Sequence, residues 1–185
     1  MPLFPLQGVF LFPGQIVPLH IFEPRYKQMI EDLLDGPGRL VIGSILDDQK
    51  DLDVPGVLPV AGLGEIARHQ RLEDGRFLIL LFGLSRVTVA EADSERLYRR
   101  VRITEWEEEP ATAQDSARLR SCLVAAIRKR TGYETKSLDG VSTGQLADVL
   151  AQCLPIPRER MEEIYAEPRV GERAERVLAE HDVLP

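Results

Sequence analysis

The side chains that could carry chemistry are few and widely spaced: His20, His69 and His181, Cys122 and Cys153, and the run Glu23-Pro24-Arg25-Tyr26. His20 and Glu23 could share a divalent metal, but zinc centres take three or four protein ligands and no third one stands nearby. His20 is therefore read as structural, satisfied by a carboxylate or a backbone carbonyl. Cys122 with His69 would supply a nucleophile and a base. Cys122, however, falls on an apolar helical stripe, and a reactive thiolate needs exposed, electropositive surroundings. Both cysteines are read as buried free thiols rather than a disulfide. No Gly-Lys dipeptide occurs, which removes a Walker A loop. His-Glu-x-x-His and Cys-x-x-Cys are also absent, and the chain is read as lacking a nucleophilic serine elbow. The expectation is a protein without catalytic residues, metal or cofactor.

Composition narrows the class of partner. The 185 residues are 44% hydrophobic and 29% charged, as in ordinary globular domains, with a net charge of −7. That balance argues against a general phosphate-binding surface. Arg100 and Arg102 alternate with Val101 and Ile103 as the wet face of a strand, and Arg128, Lys129 and Arg130 close a helix, where cations complement its dipole. Nucleic acid is an unfavoured partner on these grounds. The longest apolar run, Phe77 to Phe82, is too short to span a bilayer, and no secretory signal opens the chain. No membrane contact and a cytoplasmic location are expected by default.

The elements that must position these side chains begin with Met1 to Tyr26, a proline-punctuated stretch rich in Phe and β-branched residues. Leu3 to Leu6 and Ile16 to Ile21 read as strands, joined through a turn at Phe12-Pro13-Gly14. Pro24 opens a helix with Tyr26, Met29, Ile30, Leu33 and Leu34 on one face, ended by Gly36. A strand near Arg39 to Leu46 and an exposed acidic loop from Asp47 to Asp53 follow. Beyond Val57 the period becomes two. Leu58 to Leu72 and Arg76 to Leu84 flank the hairpin signal Asp74-Gly75, and Ser85 to Glu91 and Tyr98 to Trp106 add further strands. Phe77 to Phe82 is apolar throughout, which predicts a strand buried on both faces. Gly62 and Gly64 predict a bulge or a tight bend, and six or seven strands favour closure into a barrel.

After Glu107-Glu108-Glu109-Pro110 every periodic segment is helical. Leu119, Cys122, Leu123, Ala126 and Ile127 form one stripe, and Leu146, Val149, Leu150, Cys153 and Leu154 a second behind a capping box at Ser142 and Gln145. Pro157 and Pro168 mark two more helix starts, and Val170, Ala174, Val177 and Leu178 give the last helix its apolar side. The organisation predicted is a β unit over 1–109 and a helical subdomain over 110–185 packed on it.

Pro2-Leu3-Phe4-Pro5-Leu6, Leu11-Phe12-Pro13-Gly14 and Leu19-His20-Ile21-Phe22-Glu23-Pro24-Arg25-Tyr26 resemble the signature of the LON substrate-binding domain, the N-terminal domain of the ATP-dependent protease La, including its stand-alone bacterial relatives. Arg71 to Phe77 and Gly83 to Arg86 resemble that family's hairpin and following strand, and Leu146 to Leu150 and Glu172 to Arg176 its helical tail. The resemblance implies an α+β fold, a PUA-like β pseudo-barrel with one inserted helix followed by a small helical bundle. It also implies recognition of unfolded or extended polypeptide without catalysis. This chain is expected to lack ATPase and peptidase domains and to cooperate with a separate protease or chaperone.

An apolar groove or an open strand edge would serve such recognition, main-chain pairing giving affinity and side-chain pockets selectivity. The residues that could line it are Phe10, Phe12, Phe22, Arg25 and Tyr26, with Arg25 equally suited to pin the strand-to-helix junction by an ion pair with Glu23. Two rival readings remain: an RNA-binding module, since RNA-binding proteins share the PUA-like fold, and a cryptic hydrolase, which would need a polar pocket joining His20 or His69 to a nucleophile.

Overall fold

The computed structural model describes residues 1–49, 51–132 and 138–184. Its contacts divide the chain into two units, Met1–Trp106 and Glu107–Pro185. The first carries six strands and one helix: β1 (Leu3–Leu6), β2 (Ile16–Ile21), α1 (Pro24–Leu34), β3 (Arg39–Ser44), β4 (Val60–Arg71), β5 (Phe77–Ala92) and β6 (Arg100–Glu105). The second is helical: α2 (Ala113–Thr131), α3 (Thr143–Cys153), α4 (Arg158–Tyr165) and α5 (Val170–Asp182). The fold class is α+β, as the sequence implies. Among the described residues no helix is long and apolar enough to cross a membrane.

In the β unit the ladder runs β1-β3-β4-β5-β2, with β6 also on β5. It returns to its start: Leu3 N–H donates to the Arg99 carbonyl at 2.9 Å and Val101 N–H to the Met1 carbonyl at 2.8 Å. β1, β3, β4, the second half of β5 and β6 therefore form a closed ring around Leu3, Val41, Ala61, Val87 and Val101. The first half of β5 instead pairs with β2, Phe77 opposite Ile21 and Phe82 opposite Ile16. Helix α1 lies against the inner face of this second sheet, Tyr26, Met29, Ile30 and Leu33 meeting Phe77, Ile79 and Leu81 in one core. Pro24 at the first helical position starts α1, as the sequence indicates. The β4–β5 turn has Gly75 at φ +79° and Arg76 N–H donating to Asp74 Oδ1 at 3.1 Å. The expected bulge also occurs, as a register shift at Leu63/Gly64.

Two readings of this unit need correction. Arg76 to Leu84 and Ser85 to Glu91 are one strand of 16 residues, because Gly83 continues the strand while the neighbour on one edge changes. Phe77 to Phe82 is not buried on both faces: Phe77, Ile79 and Leu81 point inward, whereas Leu78 is 42% exposed and Phe82 lies outward with it. The reason is that α1 covers one face, while among the described residues the other stays open to solvent, which is permitted to an antiparallel sheet. The loop expected over Asp47 to Asp53 is found among the described residues: Asp47–Gln49 form a single 3₁₀ turn and residues 51–54 are exposed, while Lys50 lies outside the described residues.

The helical unit has the stripes read from the sequence with one systematic difference. Leu119, Leu123, Ala126 and Ile127 of α2 and Leu146 and Leu150 of α3 are buried, but Cys122 and Cys153 are exposed free thiols. Each sits about a quarter-turn from the centre of its buried stripe, at the helix flank. Partial burial still holds the Cys153 thiol above its ordinary pKa, as befits an unreactive group. The capping box forms, Ser142 Oγ accepting from Gln145 N–H at 3.2 Å and Gln145 Oε1 from Ser142 N–H at 3.0 Å.

At the far end of the unit Arg130 reaches from α2 to α5. Its Nε donates to His181 Nδ1 at 3.1 Å and its Nη2 to the Leu184 carbonyl at 3.1 Å.

Two outcomes follow from this packing. A Cβ on Gly83 would collide with the Phe12 carbonyl oxygen, which belongs to backbone and cannot swing aside. Gly83→Ala is therefore expected to cost at least about 1–3 kcal/mol of stability in urea denaturation. His181 has its pKa lowered, first by burial and then by Arg130 and Lys129, with Asp182 opposing. The unfolded chain then takes up the proton first. The helical unit should lose stability as pH falls below about 6.5, the ordinary histidine value, and regain it above. His181→Gln keeps an acceptor for Arg130 but cannot be protonated, and circular dichroism melts between pH 5 and 7 should show the dependence flattened.

Candidate functional site

The candidate site is a cavity of about 480 Å³ in the β unit, walled by β1, β2, the start of α1, the loop at 52–55 and the entry to β6. It exists because the ring of strands and the second sheet share β5 but diverge at β1 and β2. The alternation of backbone bonds describes its walls. Gly83 N–H donates to the Gln15 carbonyl at 2.8 Å, so residues 15, 17, 19 and 21 face β5 and 16, 18 and 20 turn their backbone outward. On β1, Pro2 and Leu6 carbonyls accept from Val41 and Ile45, so residues 2, 4 and 6 face β3 and residue 5 turns outward. One outward position on each strand is a proline, Pro5 and Pro18, with no N–H to offer. Such edges resist the addition of another strand. Of the two surfaces considered from the sequence, the groove fits this geometry better than an open edge.

The remaining walls are pinned from a distance. Arg99 donates through Nη1 to the Pro55 carbonyl at 2.6 Å and pairs with Glu91. Leu97 N–H donates to Gln28 Oε1 at 3.0 Å, and Tyr98 Oη to Asp32 Oδ2 at 2.8 Å, which ties the β6 entry to α1. Around the mouth stand Phe22, Leu52, Val54 and Leu97, all exposed, Phe22 at 60%. Four large apolar side chains held open to water around one cavity form the kind of surface that marks an interaction site.

The five residues singled out in the sequence have different fates. Phe22 stands at the rim with its ring 5.8 Å from that of His20. Arg25 lines the cavity and forms the anticipated ion pair with Glu23, 2.8 Å away and half-exposed. Tyr26 lies beneath, only 4% exposed, its ring centroid 4.3 Å from that of Phe4 and 4.6 Å from the Arg25 guanidinium carbon. Burial raises the Tyr26 pKa, with Arg25 opposing, so the hydroxyl keeps its proton. Phe10 is half-buried in the connection between β1 and β2 and does not line the cavity. Phe12 is 2% exposed, an interior residue whose ring sits 5.3 Å from the buried Arg86 guanidinium carbon. The residues that sequence reasoning missed, Leu52, Val54, Leu97 and Arg99, come from segments far from the signature. Exposed apolar side chains in otherwise polar loops were the signal available for the first three.

The residues considered for catalysis are not assembled. His20 lies exposed on the outer face of β2 against Phe22, so it needs none of the internal partners expected of it. His69 is exposed on β4, near His20 in a shallow apolar depression floored by Pro18, Leu78 and Leu80 and containing no serine, threonine, cysteine or carboxylate. Gly140-Val141-Ser142-Thr143-Gly144 does spell Gly-x-Ser-x-Gly, which corrects the reading that no such string is present. Ser142 caps α3 and no strand precedes it, so this is a helix cap rather than a nucleophile elbow. Among the described residues no group of three metal-ligating side chains occurs.

Comparison with known proteins gives a consistent picture. The family model for the ATP-dependent protease La (LON) substrate-binding domain matches residues 1–180. Lon protease 2 of Sorangium cellulosum (strain So ce56) is 31% identical over 194 residues, covering 99% of this chain and 23% of that protein. Lon protease of Brevibacillus choshinensis is 25% identical, covering 96% of this chain and 24% of its own length. The chain thus spans about a quarter of the length of these relatives. The N-terminal domain of a Mycobacterium avium complex Lon protease superposes with a TM-score of 0.77 at 18% identity, covering 100% of this chain and 98% of that one. A Lon N-terminal domain protein from Xanthomonas campestris gives 0.71 at 21% identity, with the same coverage. At these identities the two structures speak for the fold alone.

The contrasting positions of two phenylalanines can be measured. Phe12→Ala should cost about 3–5 kcal/mol in urea unfolding, as for a buried core ring. Phe22→Ala should stay within about 0.5 kcal/mol.

Proposed function

Because this chain belongs to the LON substrate-binding domain family, we propose that its β unit binds unfolded or extended polypeptide in the cavity between β1 and β2, without catalysing a reaction. The observation that carries the reading is the ring of Phe22, Leu52, Val54 and Leu97 around a concave surface. Burying such side chains under a ligand returns roughly 25 cal/mol per Å² of apolar area. Pro5 and Pro18 favour side-chain capture over strand addition. In this reading the chain presents clients to a separate protease or chaperone.

An RNA ligand fits less well. The cations at the cavity, Arg25 and Arg99, are already paired with Glu23 and Glu91, and the whole chain carries −7. A hydrolase fits less well again, since neither His20 nor His69 meets a nucleophile.

The test is fluorescence anisotropy with the full chain, using a reduced, carboxymethylated protein as the unfolded probe and a single-stranded RNA oligonucleotide as the control, each across a salt series. Saturable polypeptide binding that changes little with salt is expected. Phe22→Ser combined with Val54→Ser should weaken it at least about tenfold, equivalent to about 1.4 kcal/mol. Leu78→Ser with Phe82→Ser, on the outer face of the second sheet, should leave it in place. The reverse pattern would move the site to that face, and RNA binding with a steep salt slope and no polypeptide binding would overturn the reading.

A further inference from the structure

The β unit has two buried tyrosines, and they are treated differently. Tyr98 Oη donates to Asp32 Oδ2 at 2.8 Å. Tyr26, 4% exposed and part of the cavity wall, has no hydrogen bond to its Oη among the described residues. Its ring cannot easily turn elsewhere, with Phe4 at 4.3 Å and the Arg25 guanidinium carbon at 4.6 Å. Cavities that bind selectively combine apolar walls with fixed polar groups; here Glu23, Arg25, Asp53 and Arg99 stand among Phe4, Ile21 and Phe22, and the Tyr26 hydroxyl lies in the same lining without a partner among the described residues.

We propose that Tyr26 Oη determines the specificity of the cavity, selecting polypeptide side chains in which an aromatic ring ends in a hydrogen-bonding atom, tyrosine or tryptophan, over phenylalanine and leucine. This rests on the reading that the cavity receives polypeptide. The cavity is roomy enough for a large ring, and Phe4, Ile21 and Phe22 offer apolar and aromatic surface to it. A charged tip is unsuited, because Arg25 and Arg99 are engaged by Glu23 and Glu91, and Glu23 and Asp53 balance them at the lining. The occupant's main chain stays at the mouth, where water and the outward backbone of His20 can satisfy it. A tyrosine hydroxyl or tryptophan N–H then bonds directly to Tyr26 Oη in place of solvent. A phenylalanine or leucine excludes solvent and strands the hydroxyl, the circumstance in which polar pockets discriminate most strongly.

The test is a titration of the ¹⁵N-labelled full chain with N-acetyl-tyrosinamide, N-acetyl-tryptophanamide, N-acetyl-phenylalaninamide and N-acetyl-leucinamide, following backbone amides at Phe22, Tyr26, Ile45 and Val54. Tyrosine and tryptophan amides should bind about tenfold more tightly than the other two. Tyr26→Phe keeps the ring and its packing, and should erase the difference by weakening only the polar-tipped pair. Equal affinities in the unaltered chain, or a preference that survives Tyr26→Phe, would overturn the assignment while leaving polypeptide binding intact. If no amide perturbs the cavity while unfolded polypeptide still binds, the assignment falls and the binding surface lies elsewhere. If unfolded polypeptide fails to bind as well, the proposed function falls with it.

Discussion

The β unit depends on one continuous strand. β5 keeps β4 along one edge while its other edge passes from β2 to β6, and the transfer happens at Gly83, where the backbone of Phe12 presses against the strand. A side chain there would push the Phe12–Gln15 turn away and take the start of β2 with it. Because the turn can close in, β2 is held beside the first half of β5 and the ring of strands closes through β6 and β1. The space between β1 and β2 is the remainder of this arrangement: two strands fixed to opposite ends of one ladder, with α1 filling the interior beneath them.

A gap between two strand edges is a hazard unless its edges are blunted, since unpaired N–H and C=O groups invite another chain. Proline at the outward position of each strand removes one donor from each edge without disturbing the bonds on the paired side. The gap can then stay open with apolar side chains around it. The outer face of β2 and β5 is a contrasting surface. Ile16, Leu78 and Phe82 are exposed there too, beside the shallow depression that Pro18, Leu78 and Leu80 floor.

Much of this was legible in the residues. The two N-terminal strands, the helix opened by Pro24, the hairpin at Asp74-Gly75, the bulge at Gly64 and the capping box at Ser142 each follow from local chemistry, and each is present. What was not legible depended on neighbours. Gly83 looks like a strand end because nothing local distinguishes a break from a close approach. Phe77 to Phe82 looks doubly buried because sequence cannot say how many faces are covered. Cys122 and Cys153 keep helical spacing with their stripes, yet lie at the exposed flank of each helix. Phe12 and Phe22 are the same residue type in one signature. The turn at Gly14 places the first inside, while the strand end before Pro24 leaves the second at the rim. Leu52, Val54 and Leu97 are recruited by tertiary contacts that no local pattern announces.

Buried polar groups in the two units are satisfied to different degrees, and Arg173 Nε, Ser44 Oγ and Trp106 Nε1 are buried without a hydrogen bond among the described residues. In the helical unit Arg173 is fully buried, with Nη1 donating to the Glu167 carbonyl at 2.9 Å, Nη2 to Glu108 at 2.6 Å, and Nε 3.2 Å from Asp148. Glu167 in turn pairs with Arg169 and Arg176, each at 2.8 Å, which lowers its pKa. That network meets the severe cost of a buried charge with several partners at once, and it is the arrangement expected where a polar group serves the fold. Ser44 Oγ in the β unit is also unpartnered, but it is sealed from solvent and does not line the cavity. Tyr26 Oη combines three properties that Ser44 and Arg173 do not: a fixed position, an open bonding capacity and contact with a space large enough for a ligand. Packing against Phe4 explains the buried ring of Tyr26, whereas its hydroxyl has no bonding partner among the described residues.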